Sequence, residues 1–410
     1  VKSCVEVPAG SGFGLQNLPY GVFSLRKGAQ PADLRRRIGT RIGSHVLDLG
    51  GLAAAVGLPA ADALSGTALD TFMAAGPSVW GEVRQSLVSL LQGEENETVI
   101  RPYLHDPPMV EMHLAFAVGD YVDFYSSEQH ARNVGLILRP GSAPLTPNWK
   151  HLPIGYHGRS GTVVVSGTPI RRPFGLTMGP DDTEPVFGPS GRLDMEAEVG
   201  FVVGVGTGLG ERVGLDGFED HVFGACLLND WSARDIQAFE YVPLGPFLGK
   251  SFATSVSPWL VPLEALKEAR VAPPTRERQL ATYLDDTDSP AWGLDIRLEI
   301  AWNRTVVSRP PFAGMYWTAA QQLAHMTVNG AALRTGDLYA SGTVSGAAVP
   351  ERGSILELTW NGRDPVRLAD GSRRAFLADG DVVTICATAP GPDGSTIAFG
   401  EVTGQILPAR

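Results

Sequence analysis

The sequence predicts a mainly β, mixed α/β fold in two unequal parts, a small N-terminal unit over residues 1–115 and a larger C-terminal unit over 116–410. Three observations predict it. The chain has 410 residues, long for a single hydrophobic core. It carries 49 glycines and 31 prolines, which favour tight turns and short strands over long helices. Most of its apolar runs beyond residue 115 are short or alternate with polar residues, the period of a strand.

The elements follow in order. Residues 21–25, 41–43 and 46–49 read as short strands between polar turns. Behind Pro77, the residues Val79, Trp80, Val83, Leu87, Leu90 and Leu91 recur on one helical face. The proline-flanked stretch 101–108 marks the boundary. In the larger unit, Leu294, Ile296, Leu298 and Ile300 alternate with Asp295, Arg297 and Glu299, a half-buried strand ending at a turn on Asn303. Residues 354–360 read as a strand running into Asn361 and Gly362, a strong hairpin signal, and on it Glu357 shares a face with Ile355 and Thr359. Two helices stand out. One starts at Thr318 with Gln321 three residues on, a capping box, and stops near Gly330; the other covers 232–240.

Composition narrows the function classes. The chain is 43% hydrophobic and 19% charged, with a net charge of −11, which argues against nucleic acid or an anionic membrane as main partner. No run reaches the ~18 apolar residues of a spanning helix, and no secretory signal pattern opens the sequence, so a cytoplasmic location is expected. Cys4, Cys226 and Cys386 lie far apart and read as small buried hydrophobes of a reducing compartment. Residues 204–210 are glycine-rich without a G-x-G-x-x-G frame, and the segment from Gly245 to Ser251 has three residues between its glycines where a P-loop has four. No G-x-S-x-G, no H-E-x-x-H and no close histidine pair occurs. Serine chemistry and zinc hydrolysis are poorly supported.

Acidic residues are the better lead. Glu196 and Glu198, if extended, point to one face, where two like charges repel unless a cation lies between them. Asp230 ends the apolar run 222–228 just before a helix, and Asp123 sits in another strand-like stretch. Carboxylates without histidine or thiolate form a hard-oxygen site suited to Mg²⁺ or Ca²⁺. Spacing alone does not show that the four meet. Arg234, Gln237 and Tyr241 fall on one helical stripe, suited to a substrate anion or simply to solvent. Lys250 follows an apolar loop and is either surface charge or a fixed cation. His130 lies seven residues after Asp123; paired with a carboxylate, a histidine makes a general base near neutral pH.

The stretches Gln16-Asn17-Leu18-Pro19-Tyr20-Gly21-Val22-Phe23, Asp123-Phe124-Tyr125-Ser126-Ser127, Pro147-Asn148-Trp149-Lys150-His151-Leu152-Pro153 and Val165-Ser166-Gly167-Thr168-Pro169-Ile170-Arg171-Arg172-Pro173 resemble the fumarylacetoacetase (fumarylacetoacetate hydrolase) family. So does the long block from Leu228-Asn229-Asp230-Trp231 through Gly249-Lys250-Ser251-Phe252. The resemblance runs in order over nearly the whole chain and is looser only over the first dozen residues, the insert-like 26–37 and 204–217. It implies an N-terminal SH3-like barrel, a C-terminal β-roll and a homodimer. It implies that Asp123, Glu196, Glu198 and Asp230 bind one Ca²⁺ or Mg²⁺, with Lys250 and Thr254 near it. His130 matches the family's general base and Glu357 its orienting partner. Tyr125, Arg139, Tyr156, Gln237, Tyr241 and Thr343 match substrate-binding positions, and Arg234, Gln237 and Lys250 match groups that steady negative charge.

The implied reaction is hydrolysis of the internal C–C bond of 4-fumarylacetoacetate to fumarate and acetoacetate, the last step of tyrosine and phenylalanine breakdown. The alternatives are an acylpyruvate hydrolase or a decarboxylase or isomerase on the same scaffold, and a non-catalytic protein that has kept the fold.

Overall fold

The structure is a computed structural model that describes residues 3–26, 34–179 and 181–410. Residues 27–33, most of the insert-like stretch, lie outside the described residues.

The N-terminal half is built on a five-stranded antiparallel sheet. Its strands are β1 (Tyr20–Leu25), β2 (Arg37–Ile42), β3 (His45–Asp48), β4 (Leu104–His105) and β5 (Val110–His113), in the order β4-β3-β2-β1-β5. The expected strand at 46–49 stops one residue early. Asp48 accepts the Gly51 N–H and caps helix α1 (Leu49–Val56), so Leu49 is helical. Helix α2 (Pro77–Gln92) starts at the proline and buries Val83, Leu87 and Leu91, as the periodicity requires.

The large unit centres on a sheet whose strands are β6 (Tyr121–Phe124), β7 (Gly155–His157), β8 (Val163–Val165), β9 (Ala197–Val203), β10 (Val222–Asp230), β11 (Thr254–Val256) and β12 (Leu338–Ala340). They run in the order β7-β6-β12-β9-β10-β11-β8, and the short strand Val261–Pro262 also pairs with β10. Side chains alternate between its two faces. One face, with Val122, Phe124, Val199, Phe201, Leu227 and Tyr339, packs on a second five-stranded sheet that includes Arg297–Trp302, Val382–Pro390 and Thr396–Leu407. The other face, with Tyr121, Val202, Leu228, Val256, Leu338 and Ala340, shares a core with the N-terminal half, including Tyr20, Phe72, Leu87 and Leu91. The contact is close: Tyr20 and Leu260 exchange backbone hydrogen bonds of 2.8 Å, and a Cβ on Gly21 would come within 2.7 Å of the Pro258 carbonyl oxygen. Each such buried apolar side chain contributes roughly 1.5–3 kcal/mol, so the two halves stabilise each other.

Several sequence expectations hold. Arg297–Trp302 alternates buried and partly exposed residues and turns at Asn303, whose φ is +47°. Thr318 and Gln321 form the expected capping box at the head of Ala319–Thr327. Other expectations fail. The helix expected over 232–240 begins only at Arg234, because Ser232–Ala233 pairs as a short strand with Leu193–Asp194. Residues 354–360 are not a strand: Ile355–Leu358 is a single helical turn capped by Ser354, and Asn361 and Gly362 follow it with left-handed φ values of +59° and +88° without joining two strands. The Asn-Gly signal marked a backbone turn correctly, but tertiary hydrogen bonds to the N–H groups of Ile355 and Leu356 hold the preceding residues helical. The cysteines also differ from expectation. Cys226 is buried, Cys4 is half-buried, and Cys386 is exposed because it faces outward on its strand.

Candidate active site

The second face of the central sheet changes character along its length. Toward the N-terminal half it is apolar; at the other end, Asp123, Glu198, Asp230 and Thr254 take the places of the apolar residues on β6, β9, β10 and β11, and Glu196 stands just before β9. Register brings them together. Glu196 O accepts the Asp230 N–H at 3.1 Å, Asp230 pairs with Thr254, and Asp123 pairs with Tyr156 on β7. The strand between Asp123 and Glu198 carries only Ala340 there, followed by Gly342, whose N–H reaches Glu198 Oε2 at 3.1 Å. Gly342 has φ +76°, and a Cβ would lie 2.0 Å from the Phe124 carbonyl oxygen, so no other residue fits. One oxygen from each of Asp123, Glu196, Glu198 and Asp230 lies within 4.8 Å of the others, and all four residues are buried.

Two of these carboxylates, Glu196 and Asp230, are paired with cations of the chain itself, though burial still holds the Asp230 carboxyl above its usual range. Lys250, on the turn Leu248–Ser251, donates to Glu196 Oε2 and, at 2.7 Å, to Asp230 Oδ2. Arg234, first residue of the helix Arg234–Glu240, donates to Glu196 Oε1 at 2.6 Å, Asp194 Oδ2 at 2.7 Å and Gln237 Oε1 at 3.1 Å. Burial alone pushes the Glu196 carboxyl up, but Arg234, Lys250 and His130 outweigh it and hold it well below the carboxylate range. Burial likewise works against the Lys250 ammonium, and Asp230 and Glu196 more than offset it. Lys250 is therefore a buried fixed cation and not surface charge. An ammonium has no lone pair to offer a metal, so it acts on the cluster as a charge.

The other two carboxylates lack such partners. Tyr156 donates to Asp123 Oδ2 at 2.8 Å, but Asp123 Oδ1 and Glu198 Oε1 are buried without a hydrogen-bond partner among the described residues. Burial first, then the neighbouring carboxylates, push both groups well above the usual range. Orphaned carboxylate oxygens converging in a buried pocket fit a hard divalent cation, and the donors are all oxygen.

The acid–base pair sits beside this cluster. His130 lies in the helix Glu128–Leu138, capped by Ser127, and its Nδ1 is 2.6 Å from Glu357 Oε2. Its Nε2 faces the cluster, 3.8 Å from Glu196 Oε1. Glu357 is fully buried; burial raises its carboxyl, yet His130 and hydrogen bonds from His130, Asn133 and Ser354 hold it below the usual range. Ser345 donates to the same oxygen at 2.9 Å.

The remaining residues named from the sequence are less tightly gathered. Tyr156 bridges toward Asp230 at 3.4 Å, and Thr254 Oγ1 reaches Asp230 Oδ1 at 3.4 Å. The Tyr125 ring meets the His130 ring edge-on, 5.3 Å between centroids. Thr343 is buried, its hydroxyl without a hydrogen-bond partner among the described residues. Arg139 caps the His130 helix and donates to the Pro144 carbonyl at 3.3 Å. Tyr241 is only the C-cap of the Arg234 helix, so the three-residue stripe ends at its edge. A cavity of about 310 Å³ opens onto Asp230 and Lys250, lined also by Tyr121, Tyr156, Arg159 and Phe247. Sequence reasoning missed Asp194, Asn133, Ser345 and the Gly342 N–H. Only Asp194 carried a signal: it extends the two-residue alternation of Glu196 and Glu198 by one step.

Fold and site together define an enzyme-like mixed α/β protein with a buried carboxylate cluster beside a histidine–glutamate pair. The comparisons give the family. The model described as "Fumarylacetoacetate (FAA) hydrolase C-terminal" matches residues 98–406 and "Fumarylacetoacetase N-terminal" matches 16–115. The chain is 45% identical to the fumarylacetoacetases of Rattus norvegicus and Homo sapiens and 43% identical to that of Arabidopsis thaliana, each alignment covering at least 99% of both chains. The fold is shared with a fumarylacetoacetate hydrolase from Exiguobacterium antarcticum (TM-score 0.55, 16% identity, 96% of this chain and 100% of that one). It is also shared with a maleylpyruvate hydrolase from Sphingobium (TM-score 0.51, 14% identity, 95% and 100%). The chain belongs to the fumarylacetoacetate hydrolase family.

Proposed function

We infer that this chain is a fumarylacetoacetase, a hydrolase that cleaves the internal C–C bond of 4-fumarylacetoacetate to give fumarate and acetoacetate. The observation that carries it is the full-length identity of 45% to fumarylacetoacetases. The geometry supports a division of labour. Asp123, Glu196, Glu198 and Asp230 are the residues that would hold the divalent ion, Ca²⁺ or Mg²⁺, with Thr254 and Lys250 beside them. Bound there, the ion supplies Lewis acidity toward the diketone.

The chain's own residues do the rest. Glu357 takes the Nδ1–H of His130, which orients the ring and leaves the Nε2 lone pair facing the cluster. His130 removes a proton from water as the water oxygen bonds to the carbonyl carbon on the fumaroyl side. The C–C bond then breaks, its electron pair leaves as the acetoacetate enolate, and that carbon takes up a proton. Arg234, Lys250 and Gln237 offset the developing negative charge, about 3 kcal/mol for a well-placed donor. Tyr125, Arg139, Tyr156, Gln237, Tyr241 and Thr343 are the proposed substrate contacts, with the Arg139 fork suited to a carboxylate.

The same reading places the reaction at the end of tyrosine and phenylalanine breakdown, in the cytoplasm, in a homodimer. No helix among the described residues is long and apolar enough to cross a membrane. An exposed apolar hairpin, Phe174–Thr177 with Val186–Pro189, supports a surface that associates, its Phe174 and Phe187 rings stacked 5.6 Å apart. The division at residue 115 is likewise a proposal, supported by the sheet that closes at His113. The test is loss of diketone absorbance with fumarylacetoacetate against acylpyruvates, with and without added divalent ion. Faster turnover of acylpyruvates would reassign the enzyme within its family.

A further inference from the structure

We propose that Asp194, a residue with no role in the reaction as described, is a positioning residue that locks the two working halves of the site in one frame. The proposal rests on the reading of His130 and Glu357 as the acid–base pair. Asp194 is completely buried, on the two-residue strand Leu193–Asp194 that pairs with Ser232–Ala233. Its two oxygens accept four hydrogen bonds. Oδ1 takes the N–H of Met195 at 2.7 Å and of Ile355 at 2.8 Å. Oδ2 takes Arg234 Nε at 2.7 Å and the N–H of Leu356 at 3.0 Å. A carboxylate offers about four lone-pair directions, so Asp194 has none left for a substrate or a metal.

What it joins is the point. Arg234 reaches from Asp194 to Glu196, fixing the charge beside the carboxylate cluster. Ile355 and Leu356 open the helical turn that presents Glu357 to His130 Nδ1. One carboxylate thus ties the segment that carries Glu196, the helix that carries Arg234 and Gln237, and the turn that carries Glu357. These come from positions 194 to 357 of the chain, and proton transfer needs them aligned to about 0.5 Å. An asparagine cannot replace it. Its amide nitrogen would face Arg234 Nε or a backbone N–H, donor against donor.

The experiment is Asp194→Asn, assayed with fumarylacetoacetate at saturating Ca²⁺. The expected result is a kcat lower by about 10–100-fold, the usual cost of losing an outer-shell partner, with KM and Ca²⁺ affinity within about threefold. Combined with Glu357→Gln, the two losses should multiply to less than their product, because both act through the same pair. Fully multiplicative losses, or a lowered Tm with unchanged kcat, overturn the proposal. Should Asp194→Asn not fold, Ile355→Pro removes one donor at the first helical position, where proline is tolerated. Its kcat should fall below that of an Ile355→Val control, and equal values overturn the proposal. A wild-type protein that leaves fumarylacetoacetate intact overturns the functional reading and this proposal with it. Wild-type turnover with an unaffected Asp194→Asn overturns this proposal alone.

Discussion

Glu196 and Glu198 stand two residues apart on one face of one extended segment, equally out of water, and their surroundings pull them in opposite directions. Glu196 is held below the carboxylate range because Arg234 and Lys250 close on both its oxygens. Glu198 is pushed well above it by burial and then by the charges of Asp123, Asp230 and Glu196, with one oxygen on a backbone N–H and the other without a hydrogen-bond partner among the described residues. The difference is not in residue type or burial. It lies in which side of the segment the chain's own cations occupy. The half with Glu196 and Asp230 is served by the chain's own cations, and the half with Asp123 and Glu198 is two positive charges short when both are ionised.

Chelation tests that shortfall most strongly. Treatment with EDTA should take turnover to the uncatalysed background, and Ca²⁺ or Mg²⁺ should restore it. The Tm should rise with added ion, as binding to the folded state alone adds about 2.7 kcal/mol at a hundred times Kd. Full activity in metal-free protein would show that turnover needs no ion in the cluster.

The base comes next. His130→Ala should lower kcat by about 10²–10⁴-fold while leaving ion binding unchanged, since His130 donates nothing to Asp123 or Glu198. Kinetics beside calorimetric titration of Ca²⁺ checks both halves of this. Loss of ion binding in the variant would mean that the complete half and the deficient half cannot be separated.

Matched amide variants then set the two glutamates against each other directly. Glu196→Gln leaves Arg234 and Lys250 buried beside a neutral group and should destabilise the fold by about 3–5 kcal/mol. Glu198→Gln keeps an acceptor for the Gly342 N–H and removes a carboxyl whose charge burial, Asp123, Asp230 and Glu196 disfavour in the metal-free protein. Its metal-free stability should stay within about 1 kcal/mol of wild type, while ion affinity falls at least about tenfold through the lost ligand charge. Urea unfolding and ion titration of the pair give the answer. Equal destabilisation by both would erase the distinction.

This asymmetry was only partly legible in the sequence. The two-residue spacing of Glu196 and Glu198 was enough to put both on one face, and the end of the apolar run was enough to put Asp230 at a strand terminus. Neither could show that Asp123, on β6, lies two strands from Glu198 with only Ala340 between, because strand order is a tertiary fact. Lys250 reads from the sequence as either surface charge or a fixed cation; its contact with Glu196, fifty-four residues away, decides for the second. The segment around Glu357 reads as a strand for a related reason. A short apolar run has no period that separates a strand from one helical turn, and the decision is made by Asp194, far away in the chain, accepting two of its N–H groups. Where a residue's partner is local, as at the Thr318 capping box, the sequence reading held.

Glu357 also offers the subtlest test of the comparison, for it is a buried carboxylate that resembles Glu196 and not Glu198: its charge is satisfied from within the chain. Its folded pKa lies below the ordinary value of 4.5 because the histidine and hydrogen bonds outweigh burial. The sign follows from linkage. A carboxyl depressed on folding adds stability that is fully present above its unfolded pKa and is lost as pH falls through the folded one. Wild type should therefore exceed Glu357→Gln by about 1.5–3 kcal/mol near neutrality, the range for hydrogen bonds to a charged group. That gap should narrow once the pH drops below the unfolded value, measured by urea unfolding at successive pH values. A gap that widened on acidification would place Glu357 with Glu198, as a carboxyl held protonated, and would take the orienting anion away from His130.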